Sequence, residues 1–291
     1  MLTYSIDIPD HCRRLESYLR SIMPQASPGY ARKLIKSGAA KVNGAAATPD
    51  RFLLINDSVT LKESGATTAL LTEARPTLDI LYEDDQVLTV NKPSGLPMHQ
   101  TALKEPNLVD QATAYLEQRG TPCKVYPVNR LDRGTSGAVI LAKSSSNAGI
   151  YGRQVKEAGL DKYYLALVEG TPPSDGIINA PLDGKESETR YRILLAGNSA
   201  ALLAVTPISG RMHQIRRHLE LIGHPVLGDK RYGSRELANY PGFCLHSFRT
   251  VLPRPEAGPL TICAPLPTDL LSICADRVGL DDRDILAAVA P

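Results

Sequence analysis

The sequence predicts an α+β protein: a mixed, mainly antiparallel sheet with flanking helices, preceded by a small α/β unit. From Leu78 onward β-type runs follow one another, in "LDILYEDDQVLTVNK", "GAVILAK", "KYYLALVEG", "ETRYRILLAG" and "ALLAVTPISG". Short turns join them, which favours antiparallel pairing over a regular alternation of strand and helix. Helical patterns intervene near 107–118, 145–158 and 213–222. At 291 residues the chain exceeds a comfortable single core, so two domains are expected.

Residues 10–63 read as the smaller unit. "HCRRLESYLRSIMP" is helical, with Leu15, Leu19 and Ile22 on one face. In "SPGYARKLIKSG", Ser27 suits the cap, Pro28 the first helical position and Gly38 the exit. Asn43-Gly44 signals a hairpin turn, and "FLLINDSVTLK" reads as the last strand. Basic residues gather on and around the two helices, among them Arg13, Arg32, Lys33 and Lys36. Charge alone leaves open whether these make a solvated face or a binding surface. Residues 64–76, "SGATTALLTEARP", lose the periodicity and end in proline, as a linker does; residues 77–291 form the second domain.

Composition narrows the class. Hydrophobic residues make up 43% and charged residues 22%, which is that of a globular protein. The 5 cysteines are scattered and form no metal-ligand pair, so a reducing, cytoplasmic setting with buried thiols is expected. The N-terminal stretch lacks the apolar core of a secretory signal. No apolar run approaches the roughly 20 residues that cross a bilayer. The net charge of +2 is small, so the position of the basic residues matters more than their sum.

Chemistry concentrates in two places. In "YPVNRLDRGTSGAVILAK", Arg130, Asp132 and Arg133 stand on a loop that enters an apolar strand through Thr135-Ser136-Gly137. Flanking arginines favour an ionised Asp132, although a surface ion pair at a turn has the same signature. The second cluster, "SGRMHQIRRHLELIGHPVLGD", carries Arg211, His213, Arg216, Arg217 and His218. At about 100° per residue, Met212, Ile215, Leu219 and Ile222 form an apolar stripe with Arg216 on its shoulder and Arg217 pointing away. A cation at the edge of a buried face needs a partner, and Asp132 is the natural candidate. His213 and His218 are spaced five apart, and no carboxylate completes a zinc motif; His218 suits a structural role and His213 a phosphate or base contact. In "DKYYLALVEG", alternation places Tyr163 and Tyr164 on opposite faces, which ordinary core tyrosines also satisfy.

Together these segments resemble the pseudouridine synthases of the RluA type. The likeness is carried by "RLDRGTSG", "KYYLALVEG", "GRMHQIRRH", "GHPVLGDKRYG", "VNKPSGLPMH" and "LHSFRTVLPRP", and runs from Leu78 to about Pro267. The unit at 10–63 resembles the S-four-type RNA-binding module that precedes the catalytic domain in many such enzymes, through "RRLESYL", "ARKLIKSGAAKVNG" and "INDSV". The resemblance implies Asp132 as the catalytic aspartate, Tyr164 as the active-site tyrosine and Arg216 as the basic partner of the aspartate. Asn129 stands where many relatives have histidine, Glu16 replaces a common aspartate, and Asn56 replaces a common glycine whose left-handed backbone asparagine tolerates.

The implied reaction frees uracil from its ribose through nitrogen and rejoins it through carbon, with no metal or redox cofactor. Asp132 would act as nucleophile or base, Arg216 would hold it ionised, and Tyr164 would pack on the base and remove a late proton. The uridine must be unstacked, at a cost of a few kcal/mol. Arg130 and Arg211 are expected to grip phosphates or fill the vacated stack, with His213 and Lys92 as further RNA contacts. Arg13, Arg32, Lys33 and Lys36 are expected to make a tethered RNA-affinity module. Ribosomal RNA of the large subunit is the expected substrate, with no membrane association and a monomeric chain. Alternatives are the same chemistry on transfer RNA, a non-catalytic RNA-binding assembly factor, or a hydrolase pairing Asp132 with His213, which lacks a second acid.

Overall fold

A computed structural model describes residues 1–71, 78–157, 159–254 and 258–289. The N-terminal unit comprises β1 (Leu2–Ser5), α1 (Leu15–Ile22), α2 (Pro28–Lys36), β2 (Ala40–Val42), β3 (Ala45–Ala46), β4 (Ser58–Leu61) and the short α3 (Gly65–Thr68). Its sheet has the order β1-β4-β2-β3, so residues ahead of 10 belong to it as well. The local signals act as expected. Ser27 accepts a bond from the Tyr30 amide at the start of α2, and Asn43 and Gly44 take positive φ in the hairpin. Asn56 adopts φ 69° at the position common to glycine. Leu15, Leu19, Ala31, Leu34 and Ile35 of the two helices pack on Val42, Val59 and Leu61 of the strands. Where an irregular linker is expected, Ser64 caps α3, and Leu70 and Leu71 pack on this same core. Residues 72–76 of that segment lie outside the described residues.

The second body holds β5 (Ile80–Glu83), β6 (Val87–Lys92), α4 (Leu108–Gln118), β7 (Tyr126–Pro127), β8 (Ser136–Ala142), α5 (Ser145–Glu157), β9 (Asp161–Glu169), β10 (Gly176–Asn179), β11 (Glu188–Ala196) and β12 (Ala200–Pro207). It continues with α6 (Gln214–Leu221), β13 (Leu245–Leu252), β14 (Leu260–Cys263), α7 (Thr268–Val278) and α8 (Asp282–Ala288). Its sheet runs β10-β11-β12-β9-β13-β8-β6-β5, with β14 beside β13 and β7 beside β8. Among the described residues every ladder is antiparallel except the short β8–β13 pair, where His246 faces Ser136 and Ser247 faces Gly137.

That pair is where the fold places its working loop. Every residue of β8 is buried, as its unbroken apolar run requires of a central strand. Val139, Ile140 and Leu141 each contribute about 1.5–3 kcal/mol by leaving water. Gly137 sits at φ 113°, and a Cβ there would collide with the Ser247 backbone. The absence of a side chain at this entry lets β13 approach β8.

The N-terminal unit is docked, not tethered, and this corrects the expected role of Arg13. Arg13 is fully buried, with Nε 2.8 Å from Asp10 and Nη1 2.6 Å from Asp79. It is an interface residue and no RNA contact. Arg32 bonds Glu16 at 2.9 Å and the Glu83 carbonyl at 3.1 Å, and its side chain is half-buried at the same seam. Arg20 meets Glu83 and the Tyr115 hydroxyl, and Lys143 closes on the other oxygen of Glu83 at 2.7 Å. Ser17 donates to the Ile80 carbonyl, and Arg119 donates to the carbonyls of Pro24 and Ala26. Lys33 and Lys36 remain exposed on α2.

Candidate active site

Asp132 lies on the loop between β7 and β8, and the loop is fastened from several sides. Asn129 is buried and bonds both ways to β8: its amide donates to the Ala138 carbonyl, and the Ile140 amide donates to its oxygen. The departure from the common histidine is therefore a staple in the backbone. Ser94 Oγ and the Phe243 amide both donate to the Gly134 carbonyl.

Lys92 is fully buried, and its ammonium donates to the carbonyls of Pro93, Leu96 and Arg133 at 2.9, 2.8 and 3.1 Å. Burial pulls its pKa down to about 7, against the attraction of Asp132. All three donors are taken up inside the protein, which corrects its expected role as an RNA contact. Lys92 ties the Asp132 loop to the turn after β6.

The flanking arginines do not pair with Asp132. Arg133 forms a fork with Glu105 at 2.9 and 2.8 Å and donates to the Gly95 carbonyl, while Arg130 is exposed at the mouth of the cleft. The partner of Asp132 is Arg216, with Nη1 2.7 Å from Oδ2, as the helix-shoulder argument anticipates. Arg216 is 6% exposed, whereas the Asp132 side chain keeps 31% of its surface open to the cleft. The stripe predicted beside it is shorter than expected. Ile215 and Leu219 are buried, but Met212 precedes the helix and is 64% exposed. Arg217 points outward to Asp183.

Three further residues complete the surroundings of Arg216. Asp229, 1% exposed, receives Nε at 2.6 Å and Nη2 at 2.9 Å. The guanidinium carbon lies 4.1 Å from the centre of the Phe243 ring and 4.9 Å from that of Tyr232. Burial disfavours the cation, and the two carboxylates more than offset this, so the Arg216 pKa is raised. Asp229, Tyr232 and Phe243 escaped the sequence reading. The first two stand in "GHPVLGDKRYG", where an acid beside a glycine in a turn was the available signal.

His213 precedes α6 in a left-handed conformation, φ 54°. Its Nδ1 lies 2.9 Å from the Tyr232 hydroxyl and its Nε2 3.7 Å from Asp132 Oδ1. Burial lowers its pKa, so the ring is held towards the neutral form. His218 is fully buried among Thr189, Ser187 and the Ala180 carbonyl, a structural histidine.

Tyr164 is 8% exposed on β9 and lines the same cleft as Asp132 and Arg216. Burial, with the charge of Asp132 nearby, pushes its hydroxyl up to about 12, which keeps it protonated at neutral pH. Arg211 and Lys162 also line this cleft, whose volume is about 130 Å³. Larger hollows exist, about 360 Å³ beside Tyr163 and Arg249 and about 590 Å³ beneath the N-terminal unit. Neither contains Asp132 or Arg216. Chemistry, not volume, marks the site.

Comparison with known proteins identifies the family. Residues 86–221 match the family model described as RNA pseudouridylate synthase. The chain is 34% identical to an uncharacterised RNA pseudouridine synthase of Mycoplasma pneumoniae, over 81% of this chain and 82% of that one. It is 31% identical to the ribosomal large subunit pseudouridine synthase C of Escherichia coli, covering 77% of each. The synthase D of Nitrosomonas europaea is 29% identical, over 93% of this chain and 87% of the relative. Among solved structures, human RNA pseudouridylate synthase domain containing 1 superposes with a TM-score of 0.53 at 27% identity, covering 67% of this chain and 87% of that one. Human RNA pseudouridylate synthase domain containing 4 shares the fold, with a TM-score of 0.58 at 24% identity over 69% and 93% of the two chains. With identity above 30% sustained across four-fifths of its length, the chain belongs to the RNA pseudouridine synthase family.

Proposed function

We propose that this enzyme isomerises uridine to pseudouridine in ribosomal RNA of the large subunit, with Asp132 as the reacting carboxylate. The observation that carries the reading is the Asp132–Arg216 contact of 2.7 Å at the floor of a cleft that Tyr164 also lines. The large-subunit substrate rests on the synthases C and D, relatives that match most of this chain.

In the reaction, the bond from ribose C1′ to uracil N1 breaks and one from C1′ to C5 forms. The proton lost from C5 is balanced by one gained at N1, so no electrons enter or leave. Asp132 supplies the nucleophile or base for the first step, and Arg216 holds it in place. The Tyr164 ring packs on the base, and its hydroxyl is placed for the late proton transfer. His213, neutral and close to Asp132, contacts the uridine or its phosphate. Arg130 and Arg211 stand at the rim, where an unstacked nucleotide enters.

The N-terminal unit serves as an S-four-type RNA-binding surface through Lys33 and Lys36, fixed in orientation against the catalytic body. These two lysines add sequence-tolerant affinity for phosphate. The reading is tested by mapping pseudouridines in RNA from cells with and without the protein. Loss of one or more large-subunit pseudouridines is expected. An unchanged ribosomal map would reject the assigned substrate.

A further inference from the structure

We propose that Asp229 is a positioning residue for the reaction, one that fixes the Arg216 guanidinium so that Asp132 is held in place yet free to react. This rests on the reading of Asp132 as the reacting carboxylate. Arginine offers a rigid planar fork, and which carboxylate receives two of its donors is a structural choice. Here the two-point contact goes to Asp229, through Nε and Nη2 at 2.6 and 2.9 Å. Asp132 receives Nη1 alone. The carboxylate that cannot reach a substrate, with a side chain 2% exposed, is bound twice; the one open to the cleft, 31% exposed, is bound once.

Asp229 has little freedom to yield. The amides of Tyr232 and Ser234 both donate to its carbonyl, at 3.0 and 3.1 Å, and its own amide donates to Val226. Phe243 and Tyr232 lie against the guanidinium and resist its rotation. Two carboxylates on one cation leave a net negative charge, so Asp132 is oriented without being neutralised by a pair of its own. The other ionisable groups facing this trio are His213 before α6, Tyr164 and Lys162 on β9, Lys92 on β6, and Tyr232 and Arg231 in the turn after Asp229. Arg130 and Arg211 stand at the rim. Asp229 and Asp132 bond Arg216 through different nitrogens, Nε and Nη2 for the one and Nη1 for the other.

The test compares Asp229→Asn, Asp229→Glu and Asp132→Asn in single-turnover reactions at sub-saturating and saturating concentrations of the RNA segment found by mapping. Asp229→Asn loses one acceptor and the second negative charge. Its rate at saturating RNA should fall about 10²-fold, the scale of an ångström's misplacement. RNA affinity should stay within a few-fold, so the loss falls on the rate of the bound complex and not on binding. Asp229→Glu keeps the charge but shifts the guanidinium, so it too should be slow at saturating RNA, with affinity near the parent's. A parental rate for Asp229→Asn, or a loss that saturating RNA restores, would overturn the proposal. Should Asp229→Asn fail to fold, a parental rate for Asp229→Glu would do the same. An inactive Asp132→Asn beside an unaffected Asp229→Asn rejects only this inference. An active Asp132→Asn rejects the reading of the site and this inference with it.

Discussion

Arg13 of the N-terminal unit is enclosed between Asp10 of its own segment and Asp79 of the following body, at 2.8 and 2.6 Å. Its guanidinium is a fastener between two sheets that share no strand. Arg13→Met should leave the buried Asp10 without its cation and cost about 3 kcal/mol, the lower end for a broken buried pair because Asp79 is partly wet. Urea denaturation of Arg13→Met, Asp79→Asn and the double variant measures this. Strictly additive losses would show that the pair does not couple the two units.

Asp132→Asn should abolish pseudouridine formation and leave RNA affinity close to the parent. The amide preserves the loop, since the staples through Asn129, Lys92 and Ser94 do not involve the Asp132 side chain. It cannot act as nucleophile or base. Turnover above that of a mock preparation would exclude Asp132 from the chemistry.

Arg216→Met should lose both activity and stability. Asp229 is left buried without a partner, and removal of one member of such a pair costs about 3–5 kcal/mol. Denaturation midpoints and single-turnover rates report the two losses separately. A variant as stable as the parent would show that Asp229 finds another donor.

Acid should destabilise the fold over a defined interval. Burial lowers the pKa of His11, His213 and His218 below the ordinary 6.5 and that of fully buried His246 to about 4. The unfolded chain then takes up protons that the folded chain refuses, so stability is lost as the pH falls from about 6.5 towards 4. Each fully coupled proton contributes a slope of about 1.4 kcal/mol per pH unit. His246→Asn should flatten that slope in urea titrations at successive pH values. A slope equal to the parent's would mean that His246 titrates alike in both states.

The parts of this molecule that depend on near neighbours were legible in the sequence. "SGAVILA" is the buried central strand, Ser27 caps its helix, and Asn43-Gly44 turns its hairpin. The Asp132–Arg216 pair was legible too, because a cation on the shoulder of an apolar helix face demands a distant acid. What was hidden depends on partners far along the chain. Arg13 has the pattern of a solvated helix face until Asp79 closes on it, and Arg20 until Glu83 does. Lys92 looks like a free cation until the fold folds three carbonyls around it. Hydrophobic periodicity registers apolar faces and cannot register a charged side chain turned inward to meet another.

The bonds from Ser17 to the Ile80 carbonyl and from Arg32 to the Glu83 carbonyl have a further consequence. Both acceptors belong to β5, the last strand on its side of the large sheet. A terminal strand offers unpaired peptide groups on which another chain can assemble. Here hydroxyl and guanidinium donors from α1 and α2 occupy two of those groups, and the helices lie along the border. The N-terminal unit thus covers part of a border along which strand pairing would otherwise be open to another chain.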